Sequence, residues 1–274
     1  MCPPHYFDVV YELETNSWMD TDNPPDKALA ELQWARLYSR CLEFAKLELA
    51  PAAPGLPDMT FVANAGLPYK NIFICSNFYH EERRPEVEAH LDFFKKRFFE
   101  ENIWVLGSRA YFEGQGDAVW LSDNRLLIGC GIRTNINGMR EVETILRKYQ
   151  PKVEVVALEM AFQKQFYHLD TCLLWLPVVR TFLIYEPAFE PSAIRKLETM
   201  GHILRVTEEE AKEFVCNSVV IDEETIFMPW VNDRLRKLLV RDGYGNIITF
   251  PMSEFKKSGG AVKCLLLEHD YPIS

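Results

Sequence analysis

The stretch "AVWLSDNRLLIGCG", residues 118–131, decides how this chain folds. Two apolar runs rich in strand formers flank Asp123–Asn124, a dipeptide with the length and chemistry of a tight hairpin turn. "SVVIDEETIFMP", residues 218–229, reads as a second hairpin. Adjacent hairpins do not fit a simple parallel sheet of alternating strands and helices. Helical patterns lie between such runs. "RPEVEAHLDFFKKRFFEE" (84–101) puts Val87, Leu91, Phe94 and Phe98 on one face, and "GMREVETILRKY" (138–149), "PSAIRKLETM" (191–200) and "NDRLRKLLVRD" (232–242) follow. "TEEEAKEF" (207–214) opens with the capping box Thr207 and Glu210. A unit of hairpin plus helix thus recurs about five times, at the spacing of repeat arrays and propellers. Upstream, "DKALAELQWARLYSRCLEFAKLEL" (26–49) reads as a further helix. Further strands are expected at "MTFVANA" (59–65), "DTCLLWL" (170–176) and "AVKCLLLE" (261–268). No linker divides the sequence; the Pro-rich "APAAPGLPD" (50–58) is short enough for a loop, so a single domain over residues 1–274 is expected.

The composition narrows the function. The chain has 274 residues and a net charge of −10. It carries no dense Lys/Arg run to meet phosphates, so a nucleic-acid partner is not expected. No stretch approaches the roughly 18 apolar residues of a membrane span, so no membrane partner is expected either. "MCPPHYFDVVYE" lacks the basic start and apolar core of a signal peptide. The seven cysteines are scattered and without paired spacing, which fits a reducing, cytoplasmic location and neither a disulfide framework nor a Cys-rich metal site. No metal or organic cofactor is expected. A homo-oligomer is compatible with the sequence.

Six segments carry residues able to do chemistry. "FYHLDTC" (166–172) places His168 and Asp170 two residues apart; on a strand both would face one site. Cys264 follows two glycines in "SGGAVKCLLLE", and glycines let a backbone approach a ligand closely. A thiol needs a base or a cation to become a nucleophilic thiolate, and His168 is its natural partner. "YFEGQGDAVWL" carries Glu113 and Asp117 around a Gly-rich turn, and either carboxylate can orient His168. Arg133 in "GCGIRTN" presents a planar fork suited to a carboxylate. Asp58 and Asn64 flank "MTFVA", and Asn16 lies in "ELETNSWM". Each has a bland reading as well: a core cysteine, a satisfied strand histidine, a polar loop, a surface arginine, an ordinary turn.

The order of these motifs is more specific than any one of them. "MCPPHYFDVVYELETNSWM", "LPDMTFVANAG", "ERRPEVEAH", "EGQGDA", "GIRTN", "FYHLDTC" and "GGAVKCLLLE" together span nearly the whole chain. In that order they resemble the guanidine-modifying enzymes of the pentein superfamily: arginine deiminases, dimethylarginine dimethylaminohydrolases, amidinotransferases and arginine dihydrolases. The resemblance implies an α/β fold, a five-bladed propeller of repeated ββαβ-type modules around a central active site. It implies Cys264 as the nucleophile on a guanidinium carbon, His168 as acid and then base, Glu113 orienting His168, and Asp170 gripping the guanidinium nitrogens. Arg133, and after it Arg84, would take the α-carboxylate of the substrate, with Asp58 on the α-amine and Asn16 as a further binding residue.

Two departures point within the group. Deiminases and amidinotransferases place an Asp where this chain has Asn64, and many relatives have "E-G-G-D" where this chain has "E-G-Q-G-D". Both departures, with the "MCPP" start, resemble the arginine dihydrolases, which take arginine through citrulline to ornithine. An amide donates as well as accepts hydrogen bonds, so Asn64 can hold the ureido oxygen of citrulline for a second attack, whereas a carboxylate would repel it. The implied substrate is free arginine or a close analogue. The alternatives are a deiminase or a dimethylarginine dimethylaminohydrolase releasing citrulline, and, from another class, a non-catalytic pentein binding module like the ribosome anti-association factors. The bifunctional relatives carry a further C-terminal domain for ornithine chemistry; this sequence ends ten residues after Cys264, so that domain is not expected in it.

Overall fold

A computed structural model of the chain describes residues 1–269. After the N-terminal segment comes helix α1 (Lys27–Cys41), opened by Asp26, whose side chain accepts from the Leu29 N–H at 3.0 Å. Four three-stranded modules then follow in sequence, each an antiparallel hairpin, a helix and a third strand returning parallel to the second. The first module is β1 (Gly66–Tyr69), β2 (Ile72–Cys75), α2 (Glu86–Phe94) and the short β3 (Ile103–Trp104). The second is β4 (Ala118–Ser122), β5 (Arg125–Cys130), α3 (Ile136–Tyr149) and β6 (Glu154–Glu159). A single turn, α4 (Leu169–Cys172), leads into the third: β7 (Leu173–Leu176), β8 (Thr181–Ile184), α5 (Pro191–Met200) and β9 (His202–Arg205). Helix α6 (Glu208–Lys212) precedes the fourth: β10 (Val219–Val220), β11 (Thr225–Met228), α7 (Asp233–Arg241) and β12 (Asn246–Thr249). The short α8 (Ser253–Lys256) follows.

Local chemistry explains the boundaries. The β4–β5 hairpin closes over Asp123–Asn124 with Ser122 opposite Arg125, as its sequence predicts. Asn135 and Asn232 cap α3 and α7 by accepting from the N–H of Gly138 and Leu235, both at 2.8 Å. Thr207 and Glu210 form the reciprocal capping box expected for α6.

Apolar residues pack between consecutive modules. Leu67, Ile72, Phe112, Leu126, Ile128 and Val142 fill the space between the first module and the second. Leu127, Leu158, Leu173, Phe182, Ile226 and Leu239 belong to one cluster that joins the second, third and fourth. The two ends of the chain pack together beside the fourth module: Met1 and Phe7, Leu37 of α1, Phe255 and Leu265 share a cluster with Val219 and Phe227.

Three expectations change. Among the described residues four sheets form where about five modules were expected; α1 and the chain ends contribute no fifth sheet. Residues 57–65 form two 3₁₀ turns, Pro57–Thr60 and Val62–Ala65, and Cys264 lies in another, Lys263–Leu265, in place of the expected strands. His168 is the N-cap of α4 and Asp170 is inside it, so neither lies on a strand.

Candidate active site

The residue pattern at the centre of the molecule is regular. Asn64 lies just before β1, Asp117 just before β4, His168 and Asp170 just before β7, and a residue not singled out in the sequence, Asn217, just before β10. Each module thus delivers polar side chains from the segment that feeds its first strand, and the C-terminal turn adds Cys264.

Cys264 is 4% exposed. Its Sγ accepts from Asn217 Nδ2 at 3.1 Å and donates to Asp170 Oδ2 at 3.3 Å. Asn217 Oδ1 in turn accepts from the backbone N–H of Ala261 and of Cys264, at 3.0 and 3.3 Å, so one amide fixes both the turn and the thiol. Burial drives the thiol well above its ordinary pKa, and the Asp170 carboxylate adds to that. Both effects favour the protonated thiol. Asp170 is itself raised to about 6, chiefly by burial, with His168 and Lys263 pulling the other way. Its Oδ1 is buried and has no hydrogen-bond partner among the described residues.

His168 sits between two carboxylates. Glu113 Oε2 lies 3.2 Å from its Nε2 and Asp117 Oδ2 lies 3.1 Å from its Nδ1. Both are ion-pair distances without the alignment of a good hydrogen bond. Burial opposes a charged ring, but Asp117 and then Glu113 outweigh it and raise His168 to about 9. Asp117 is held by Thr134 Oγ1 at 2.7 Å and by the Leu169 N–H at 3.0 Å. Glu113 accepts from the Tyr79 N–H at 3.0 Å and from Arg133 Nη1 at 3.1 Å. Burial would raise its pKa, yet Arg133 and His168 hold it well below the carboxylate range. Both carboxylates therefore flank the imidazole, on opposite nitrogens.

The cavity in front of the thiol is lined by Cys264, His168, Asn64, Arg133, Arg83 and Asp58, with Asn16, Tyr167 and Leu13 at its sides. Asp170, bonded to the thiol, is not among its lining residues and borders a second groove. Arg133 lies over the Tyr167 ring at 4.6 Å and bonds Thr15 through Nε, leaving Nη2 without a partner among the described residues. Asp58 accepts from Tyr11 Oη at 2.7 Å and Ser258 Oγ at 2.9 Å. Asn16 ties Tyr167 to the Ser258 carbonyl at the neck of the Gly259–Gly260 turn. Asn64 donates to the Glu113 carbonyl at 3.0 Å and accepts from Arg83 Nη1 at 3.1 Å. One of its two amide N–H groups remains for a ligand.

Arg84 is the one expected site residue outside this assembly. It is exposed and bonds the carbonyls of Phe78 and Tyr79 and the side chain of Glu81. Its neighbour Arg83 is 4% exposed, paired with Glu86, and faces the cavity. The 3₁₀ turn Glu81–Arg83 decides which of the two adjacent arginines points inward.

A family model described as N,N-dimethylarginine dimethylhydrolase, eukaryotic, matches residues 47–270. The chain belongs to this family. The bifunctional arginine dihydrolase/ornithine cyclodeaminase ArgZ of Synechocystis is 35% identical over 282 residues, a match covering 100% of this chain and 38% of ArgZ. The chain thus spans well under half the length of that relative. The N(G),N(G)-dimethylarginine dimethylaminohydrolase of Mycobacterium tuberculosis is 31% identical over 270 residues, covering 98% of this chain and 84% of that protein. The crystal structure of the ArgZ N-terminal domain bound to substrate superposes with a TM-score of 0.86 at 32% identity, over 97% of this chain and 95% of that one. A dimethylarginine dimethylaminohydrolase adduct with S-methyl-L-thiocitrulline gives 0.78 at 25% identity, over 97% and 96%. The α/β fold is the one these pentein enzymes share.

Proposed function

We propose that this chain is a cysteine hydrolase of the guanidinium group of free L-arginine, acting as an arginine dihydrolase that forms ornithine through citrulline. The observation that carries it is the buried pair of Cys264 Sγ and Asp170 Oδ2 at 3.3 Å, with Asp170 Oδ1 left unpartnered. A buried carboxylate with an open lone pair beside a protonated thiol is a receptor for a planar cation. A guanidinium donates in its own plane, satisfies Oδ1, and supplies the positive charge that favours the thiolate. Arg133 and Arg83 at the other end of the cavity suit an α-carboxylate, and Asp58 an α-ammonium. In this reading α1 and the packed chain ends stand where a fifth module would.

The steps follow from these positions. As the guanidinium binds, the Cys264 thiol releases its proton to solvent, and the thiolate adds to the guanidinium carbon. His168, cationic at neutral pH, gives its proton to the departing nitrogen, and ammonia leaves an amidino group on sulfur. The neutral imidazole then takes a proton from water, whose oxygen adds to that carbon; sulfur leaves and citrulline forms. Repetition on the ureido carbon expels a second ammonia, and hydrolysis of the thiocarbamate gives carbamate, which loses carbon dioxide to leave ornithine. Glu113 and Asp117 hold the ring and stabilise its charged form.

A second reading, hydrolysis of N-methylated arginine to citrulline, is favoured by the family model that matches. The deciding experiment incubates the protein with arginine, citrulline and dimethylarginine and separates products by chromatography. Ornithine from arginine and from citrulline is expected. Citrulline as sole product replaces the dihydrolase reading, and turnover of dimethylarginine alone selects the second. Asn64→Asp should make citrulline accumulate, because a lone pair then faces the ureido oxygen; one lost hydrogen bond of about 1–3 kcal/mol slows the second step by roughly 5- to 150-fold.

A further inference from the structure

The loop bearing Glu113 and Asp117 is tied to the segment bearing Cys264 by the side chain of Gln115. Gln115 is 6% exposed. Its Nε2 donates to the Glu268 carbonyl at 2.6 Å, and its Oε1 accepts from the Glu268 N–H and from Lys263 Nζ, both at 2.9 Å. Lys263 also pairs with Glu268 Oε1 at 2.8 Å and bonds the Leu266 carbonyl at 3.3 Å. Its own N–H bonds the Asn217 carbonyl at 3.2 Å, and the Asn217 side chain reaches Asp170 and Cys264. Lys263 and Asp170 border the same groove. The groups acting on Asp170 are His168 and Lys263, which favour its charge, Asp117, which opposes it, and the Cys264 thiol that donates to it.

We propose that Lys263 is a positioning residue of this site: held by Gln115 and Glu268 at the groove that Asp170 also borders, its ammonium is the fixed counter-charge that favours the carboxylate form of Asp170 able to hold a cationic substrate. Of the two positive charges near Asp170, His168 gives its proton away during the proposed reaction, whereas Lys263 is outside the proton path. The residue that lengthens the "E-G-Q-G-D" loop is the one that anchors this lysine.

The role of Asp170 toward substrate rests on the function proposed above, so the test has two readouts. The first is the titration of Asp170 in the unliganded protein, followed by the infrared carbonyl band of its protonated form and assigned by difference against Asp170→Asn. The second is the acidic limb of kcat/KM for arginine. Lys263→Met should move both midpoints upward by about one pH unit or more. Below the limb this lowers kcat/KM about tenfold. Lys263→Arg should restore both. Glu268→Gln, at a half-exposed side chain, removes the charge that offsets Lys263 and should move both midpoints downward, a direction that damage to the fold does not produce. The proposal is overturned if the Asp170 midpoint is unchanged in Lys263→Met, if Lys263→Arg shifts it as far as Lys263→Met, or if Glu268→Gln leaves it in place. Should wild-type protein not hydrolyse arginine, the substrate assignment fails and the infrared titration still decides the role of Lys263.

Discussion

Cys264 is poorly activated as it stands, and this follows from two neighbours with opposed effects. Burial raises the thiol, the Asp170 carboxylate raises it further, and Asn217 donating to sulfur gives back only part. A reactive thiolate is normally made by a nearby cation. In the proposed reaction the cation is the substrate itself, which would make the nucleophile conditional on the right ligand and protect the thiol from unrelated electrophiles. The roles of Asp170 then separate experimentally. Asp170→Asn should abolish arginine hydrolysis, because the guanidinium loses its anchor. The same change removes the negative charge 3.3 Å from sulfur, so the thiol should ionise more easily. Iodoacetamide should therefore label Cys264 faster in Asp170→Asn than in the wild type, by roughly tenfold at mildly alkaline pH if the thiol falls by one unit. Labelling at an equal or slower rate would show that burial alone sets the thiol.

The loop Glu113–Asp117 shows at the scale of an element how backbone shape places this chemistry. Gly114 has φ +63°, and an added Cβ would lie 2.7 Å from the Ala63 carbonyl oxygen, so neither conformation nor space admits a side chain. At Gly116 the obstacle is a side chain: a Cβ would lie 2.2 Å from Asn64 Nδ2 and 3.4 Å from His168 Nδ1. Gly116→Ala should thus push Asn64 off the Glu113 carbonyl and lower kcat/KM on the order of 100-fold, the usual cost of misplacing a site by about an ångström. Gly114→Ala should instead lower the Tm as well as activity. Paired activity and melting measurements test this, and a fully active Gly116→Ala would remove Asn64 from the site. The hairpins and helices were legible in the sequence because turn dipeptides, caps and apolar spacing are local signals. The turns at 57–65 and 263–265 were not, because a short apolar run looks the same whether it extends or coils. "FYHLDTC" was read as a strand for that reason; His168 and Asp170 reach the centre instead as the cap and first turn of α4. Asn217 was missed although it had a signal: it occupies before β10 the place that Asn64 and Asp117 occupy before β1 and β4. Arg83 and Arg84 are adjacent, and only the turn geometry separates them.

At the scale of the whole molecule, four modules meet around buried charges in place of a continuous apolar centre. Glu113, Asp117, Asp170, Arg83, Glu86, Arg133 and His168 are all buried. Such groups cost stability unless they are paired, so the protonation of the centre is coupled to the fold. His168 gives the clearest case. Its folded pKa, about 9, lies above the ordinary histidine value of 6.5. The folded chain therefore holds a proton that the unfolded chain releases. That stabilisation is fully present below the unfolded value and is lost as pH rises through the folded one. Stability should fall with pH in this window, with a slope from this group of up to about 1.4 kcal/mol per pH unit. The buried Met1 amine, lowered to about 6 mainly by burial, works the other way between its folded and unfolded values. A difference between two proteins cancels it. Urea unfolding of wild type and His168→Asn, measured from about pH 7 to about 8.5, should show stability declining more steeply in the wild type, even though the variant, with Glu113 and Asp117 left facing no cation on the ring, starts lower. Parallel slopes would mean that His168 is already neutral in the folded protein, and the proton for the leaving nitrogen would then have to come from another group.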